Sequence, residues 1–375
     1  MKVILAPDGF GGTMSARTAA EAMATGWRRA APADDLVLVP LSDGGAGLVE
    51  VLLTALPGAE LVPVTVEDPL ARPVGAAFLL DRSADVATAY VESAQACGLH
   101  LLAPAERDPL RTTTYGVGQL VRAALDAGAG RIIVGLGGTA TNDGGAGMLA
   151  ALGLGRVDAA GERLAPGGAD LQRLDHLVGT LDPRLADVEL VAATDVDAPL
   201  LGHRGASAVF GPQKGADADA VQRLDAALTR WAEVLEAHLA SKVSRLVGAG
   251  AGGGLGAALF ALGARRESGI ELVRQLVDLP GHLQGARVVL TGEGTFDVTS
   301  LRGKVVLGVS QAAAAQAVPC VVLAGQVEVG RREVAAAGLE SALAVADLVG
   351  LARSFADPAG SLALLAERVA RQWSR

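Results

Sequence analysis

Apolar and polar positions along the chain alternate between two periods, and the alternation runs from end to end. Short apolar runs bounded by Gly, Pro or Asp read as buried strands at 3–6, 36–40, 74–80, 86–91, 131–135, 188–194, 286–290, 319–324 and 343–346. Elsewhere apolar residues recur every three or four positions, which predicts helices at 15–30, 114–127, 217–240, 268–279, 303–317 and 360–373. In the longest of these, Val221, Leu224, Leu228, Trp231, Leu235 and Leu239 keep the spacing and mark one packing face. Ser15 caps the first helix, which stops before Pro32, Gly128 ends the second, and Ser268 with Glu271 fits a capping box. The uncharged stretch 247–264 imitates a membrane span, but its glycines read as a flexible loop running into a buried helix. Strands that alternate with helices in this way predict an α/β protein with mostly parallel sheets.

Composition narrows the picture. A chain of 375 residues suits two domains rather than one core. The first and last parts each hold short strand–helix units, so the expected division is a discontinuous domain, 1–65 with 285–375, and an inserted domain, 66–284. Half the residues are hydrophobic but only 3% are aromatic, so the core is built from Ala, Val and Leu. A net charge of −9 argues against nucleic acid or an anionic membrane as partner and leaves a small molecule. Cys97 and Cys320 sit in apolar runs and suggest no disulfide, and the five histidines are too scattered for a zinc site. The opening MKVILAPDGF carries only a few apolar residues before Pro7 and Asp8, so a cytoplasmic protein is expected.

The candidate chemistry gathers at the strand ends. The pentapeptide Asp-Gly-Gly-Ala-Gly occurs at 43–47 and again at 143–147, each time after an apolar run and before a helix-like one. Glycines there allow close approach to the main chain, and a helix N-terminus favours an anion. Acids follow one predicted strand after another: Asp8, Asp43, Asp143 beside Asn142, Asp195 with Asp197, and Glu293 with Asp297. In parallel α/β sheets ligands bind beyond these ends, so a shared acidic cleft is expected. Asp195 and Asp197 stand two apart, so an extended backbone would point both carboxylates into one space, where a cation or a proton relieves their repulsion. The chain has only four lysines, of which Lys214 and Lys304 lie beside glycine and suit phosphate. A competing reading takes Gly135–Ala140, GLGGTA, as a dinucleotide-binding turn with Asp158 at the ribose, which would make the protein an NAD-dependent oxidoreductase. TNDGGAG intervenes before any helix, which leaves that binding helix very short.

In this order the motifs resemble those of the bacterial glycerate kinase family of two α/β domains. The matching stretches are APDGFGGTMSA (6–16), PLSDGGAG (40–47), TTTYGVGQL (112–120), GLGGTATNDGGAGMLAALG (135–153), TDVDAPLLG (194–202), AVFGPQKGA (208–216), GAGAGGGLGAAL (248–259) and TGEGTFDVTSLRGK (291–304). The resemblance implies ATP- and Mg²⁺-dependent phosphorylation of D-glycerate to phosphoglycerate, 2-phosphoglycerate ahead of 3-phosphoglycerate, at an active site in the interdomain cleft. It implies Asp195, Lys304 and Asp8 as catalytic residues, with Asp195, Asp197 and Glu293 for the metal. Gly137, Gly138, Thr139, Asn142, Asp143, Lys214, Gly292 and Gly294 would bind the nucleotide, and Asp43, Gly44, Gly45, Arg111 and Arg302 the substrate. The chain departs from the family pattern in places. Gly9 and Gly11 stand where APDSFKGS has serine and lysine, and Ala46 and Ala198 where the family has glutamate and asparagine. Thr295 and Thr299 replace the arginine and glutamine of TGEGRIDSQT. Either Arg17, Arg111, Arg302 or another nearby cation supplies the missing charge, or the acceptor is a related small hydroxy acid.

Overall fold

A computed structural model describes residues 1–301 and 303–374. Arg302, expected at the substrate, lies outside them. The chain forms two compact units. The first comprises Met1–Asp43, Glu50–Leu56 and the chain from Gly269 onward; the second comprises Gly44–Val49 and Pro57–Ser268.

The first unit is built on a five-stranded, wholly parallel sheet in the order Ser341–Ala344, Cys320–Ala324, Val288–Thr291, Lys2–Leu5, Asp35–Leu38. Its strands are short and apolar because helices must cover a parallel sheet. The Ala16–Ala30 helix begins where the Ser15 hydroxyl accepts the Thr18 N–H, and it buries Met23 and Trp27. It packs against the Pro358–Trp373 helix, and at Gly26 any Cβ would collide with the main chain of Ala363. Val3, Leu5, Val288, Leu290, Val321, Leu323, Leu362 and Leu365 complete that core.

The second unit carries a six-stranded mixed sheet in the order Arg265–Glu267, Glu189–Ala193, Arg131–Gly135, Thr88–Glu92, Pro73–Asp81, Glu60–Glu67. The first four strands pair parallel and the last two antiparallel. Trp231 and Leu235 of the Ala218–His238 helix are buried in its core, as the apolar spacing predicts.

Three expectations shift. Glu60–Glu67 is a full edge strand, paired with Pro73–Asp81, so the chain enters the second unit at residue 57 instead of 66. Pro63 fits this strand because proline is tolerated at a sheet edge. The helix expected at 268–279 breaks: Gly269–Leu276 ends, Asp278 takes φ +49, and its carboxylate caps Leu279–Leu283 with Pro280 in the first turn. This segment belongs to the first unit, which moves the second boundary from 285 to 269. The glycine-rich run becomes the Ala251–Ala261 helix, which opens on three left-handed residues, Gly252, Gly253 and Gly254. Among the described residues no helix is long and apolar enough to cross a membrane.

Candidate functional site

In the first unit all five strands end at one cavity of about 420 Å³. Asp8 follows Lys2–Leu5, Asp43 follows Asp35–Leu38, and Glu293 with Gly294 follow Val288–Thr291. Gly325 and Gln326 follow Cys320–Ala324, and Val345 follows Ser341–Ala344. The chain builds outward to one side through Asp35–Leu38 and to the other through Val288–Thr291, so the cavity sits where a doubly wound sheet opens its crevice. Main-chain bonds hold the strand ends in line: the Asp8 N–H donates to Gly292 C=O (2.8 Å) and the Leu41 N–H to Pro7 C=O (2.9 Å). Gly292 has no space for a side chain against the Leu323 carbonyl, so its glycine is explained by packing.

The acids here do not behave as surface carboxylates. Burial, then the charge of Asp43, holds Asp8 well above the usual carboxylate range, with Glu293 adding to the effect; the Gly9 N–H (2.7 Å) and Lys304 oppose it. Burial pushes Glu293 up to about 7, with Ser300 and Lys304 pulling it back and the charges of Asp297 and Asp43 adding to the rise. Asp297 goes the other way. Burial would raise it, but Thr299 (N–H 2.7 Å, hydroxyl 2.6 Å) and the Ser300 N–H outweigh that and lower it. Asp297 is thereby spent on shaping the turn that leads to Lys304. Lys304 lines the cavity as the N-cap of the ten-residue helix Val305–Ala314, its ammonium 3.2 Å from the Thr299 hydroxyl.

This donor set fits a hard divalent cation. Glu293 is 8% exposed, and its Oε1 is buried without a hydrogen-bond partner among the described residues. Among those residues no three His, Cys, Asp or Glu side chains are arranged to hold a metal alone. Mg²⁺ does not need that, because it commonly takes one or two carboxylates together with substrate phosphates.

The glycine loop of the second unit is built differently. Asp143 is fully buried and accepts from the Thr114 N–H (2.9 Å) and hydroxyl, the Thr113 hydroxyl, and the Gly145 and Gly147 N–H groups. Its carboxylate ties the turn to the start of the Tyr115–Asp126 helix, so it has no face left for a nucleotide. Asn142, also fully buried, donates to Ser207 (2.9 Å). Lys214 is 2% exposed, and its ammonium is tied to Thr141 C=O (2.7 Å) and the Thr139 hydroxyl (3.2 Å). Burial lowers Lys214 to about 8, against the pull of Cys97 and Asp143. A lysine held this way fastens the loop and is not a movable charge awaiting phosphate. Cβ atoms at Gly135 and Gly137 would collide with Gly44 and Gly45, so these glycines serve main-chain contact between the two loops. Gly138 takes φ +66, its own reason to be glycine. The helix after GLGGTA, Ala146–Ala151, has six residues, and Asp158 is bound to the Ala160 and Glu162 N–H groups and to Arg173. The dinucleotide reading therefore lacks both its helix and its ribose acid.

Asp195 and Asp197 follow Glu189–Ala193 but take separate partners: Asp195 accepts from the Ser268 hydroxyl (2.6 Å), and Asp197, largely exposed, pairs with Arg266 (2.6 Å). Ladder pairing runs on to the Thr194 N–H, which donates to Glu267 C=O (2.9 Å), and the two acids beyond it meet Ser268 and Arg266 of the neighbouring segment. Arg111 is exposed on the second unit. The cavity of the first unit also uses residues that carry no chemical signal in the sequence, among them Met14, Gln326 and Phe355. The strand-end rule applied to 319–324 would have found Gln326.

Residues 3–374 match the model of the glycerate kinase family. The glycerate kinase of Bacillus subtilis (strain 168) is 45% identical over 329 residues, which cover 87% of this chain and 85% of that protein. The glycerate 2-kinase of Escherichia coli (strain K12) is 44% identical over 327 residues, with 87% and 85% covered. A crystal structure from Salmonella typhimurium LT2, of a protein provisionally named glycerate kinase 2, superposes with a TM-score of 0.79 at 41% identity, covering 100% of this chain and 98% of that one.

Proposed function

The chain belongs to the glycerate kinase family, and on that premise we propose that it transfers the γ-phosphoryl group of ATP to a hydroxyl of D-glycerate, yielding 2-phosphoglycerate ahead of 3-phosphoglycerate. The observation that carries the reading is the cavity where five parallel strands deliver Asp8, Asp43 and Glu293 beside Lys304. Phosphoryl transfer asks a protein mainly for positioning and for neutralisation of phosphate charge. The acceptor oxygen bonds to the γ-phosphorus as the bond from that phosphorus to the bridging oxygen of ADP breaks. The hydroxyl proton passes to a carboxylate, for which Asp195 is the candidate. Lys304 and the helix start behind it carry phosphate charge. Mg²⁺, when bound, neutralises phosphate oxygens, and Glu293 is the acid best suited to hold it, with Asp8 and Asp43 alongside.

One observation favours a second acceptor. Gly9, Gly11, Thr295 and Thr299, where the family pattern has larger or charged residues, all line the same cavity. A related hydroxy acid could then replace glycerate. The test is ADP release by purified protein with Mg-ATP across glycerate and related hydroxy acids, with the product identified by phosphorus NMR. Formation of 2-phosphoglycerate is the expected result, and 3-phosphoglycerate would move the assignment of the hydroxyl. A higher kcat/KM for another acid would establish the second reading. No product with any acceptor would end both.

A further inference from the structure

The lining of the first unit's cavity is of two kinds. Acids and Lys304 make up one set, and Phe10, Met14, Val345, Phe355 and Pro358 supply apolar surface. A volume of about 420 Å³ lies within the usual range for cofactor-sized ligands and exceeds what a three-carbon acid fills. A small hydroxy acid also has no use for an aromatic lining.

Phe355 is the telling residue. It is 60% exposed, and among the described residues it is the only exposed aromatic side chain in a chain whose other aromatics are buried or half-buried. A single exposed apolar side chain is ordinary on a surface, but this one is aromatic and lines a cavity. The backbone beneath it is fixed on both sides. Before it, the Ser354 hydroxyl donates to Leu351 C=O (2.7 Å). After it, Asp357 caps the Pro358–Trp373 helix through the Gly360 N–H (3.0 Å). The ring is therefore presented on a rigid corner at the cavity, with Lys304 and the start of the Val305–Ala314 helix lining the same space.

We propose that the first unit's cavity takes the nucleotide as well as the acid, with the purine base stacked on Phe355 and the phosphates directed to Lys304. A flat heteroaromatic base suits an exposed ring, and a triphosphate tail suits a lysine at a helix start. Ribose hydroxyls can donate to the carboxylates that line the same cavity. The assignment rests on the kinase reading for the identity of the nucleotide, and on the cavity alone for where the base sits.

Phe355→Ala and Phe355→Trp test it in the full chain. Base stacking on an aromatic side chain is worth about 1–3 kcal/mol by alanine substitution. Phe355→Ala should therefore weaken ATP binding about tenfold by calorimetry, while the KM for the acid moves less than twofold. Inorganic tripolyphosphate, which has no base, should bind both proteins alike. Phe355→Trp should keep ATP affinity, and its added indole emission should be quenched by ADP. Unchanged ATP affinity in Phe355→Ala, or a rise in the acid's KM with none for ATP, would overturn the proposal. If ADP quenches the indole but no acid is ever phosphorylated, the kinase reading fails and the nucleotide site stands.

Discussion

The same five residues, Asp-Gly-Gly-Ala-Gly, do two different jobs in this molecule. In the first copy the backbone turns left-handed at Gly44 and Gly47; in the second it does so at Gly144 and Gly145. Asp43 lines a cavity in the company of Asp8, Glu293 and Lys304. Asp143 is fully buried and takes hydrogen bonds from the start of one helix and from its own turn. Neighbours decide the difference. Thr112, Thr113 and Thr114 are buried beside the second copy, and Thr113 and Thr114 supply donors to its acid. Identical local sequence thus gives an acid that lines a cavity in one place and an acid sealed in the interior in the other.

The largest effect should separate them. Asp143→Ala leaves the Thr114, Gly145 and Gly147 N–H groups without their acceptor in a dry interior. Charged hydrogen bonds are worth about 1.5–3 kcal/mol each, so a loss on the order of 4 kcal/mol is expected. In a unit of this size that lowers Tm by on the order of 10 °C in calorimetry. Asp43→Asn should leave Tm within about 2 °C and lower kcat/KM at least 100-fold, as loss of a charged contact to a reacting ligand does. Equal melting losses from both would erase the distinction between the two copies.

Asp195→Asn probes an acid whose position is less decided by its surroundings. Asparagine keeps the size and can still take the Ser268 hydroxyl bond, so the fold should survive. If Asp195 accepts the hydroxyl proton, turnover falls by about 10²–10⁴. Near-normal turnover would return the role to the acids of the first unit.

How much of this was legible beforehand follows the same division. The Ser15 cap, the parallel alternation and the acids at strand ends are local or periodic properties, and the sequence displays them directly. Burial is not local. Nothing in TNDGGAG says that Asp143 will be sealed inside, since that depends on Thr113 and Thr114 arriving from elsewhere, or that Lys214 will arrive to be sealed against Thr139 and Thr141. Edge position is also invisible, and the Glu60–Glu67 edge strand is not among the strands expected from the apolar runs. Phe355 reads like any apolar residue until its exposure beside the cavity is known.

A smaller effect concerns the first unit's stability. Glu293 is raised to about 7 from an ordinary value of 4.5. Folding therefore favours its protonated form, so the stability it contributes is full below pH 4.5 and lost as pH rises through 7. Above that the buried charge weakens the fold by on the order of 3 kcal/mol. Glu293→Gln should melt higher than the parent at pH 8, with the gap closing toward pH 5, while losing turnover. A gap independent of pH would mean that Glu293 is not the titrating group.

The smallest expected effect belongs to Lys214, and its sign is opposite. Its ammonium is lowered to about 8 from 10.5, chiefly by burial, so the folded state prefers the neutral amine. The stability it contributes is full above pH 10.5 and is lost as pH falls through 8. Relative to Lys214→Met, the parent protein should therefore gain stability as pH rises, by on the order of 2 kcal/mol between pH 8 and pH 9.5. Methionine keeps the length of the side chain and gives up the bonds to Thr141 and Thr139, so a constant offset at every pH is also expected. Paired urea titrations across this range read both parts at once. A gain with rising pH marks a sealed lysine that fastens the glycine loop. A flat difference would mean that the ammonium reaches water, and Lys214 would then be open to phosphate.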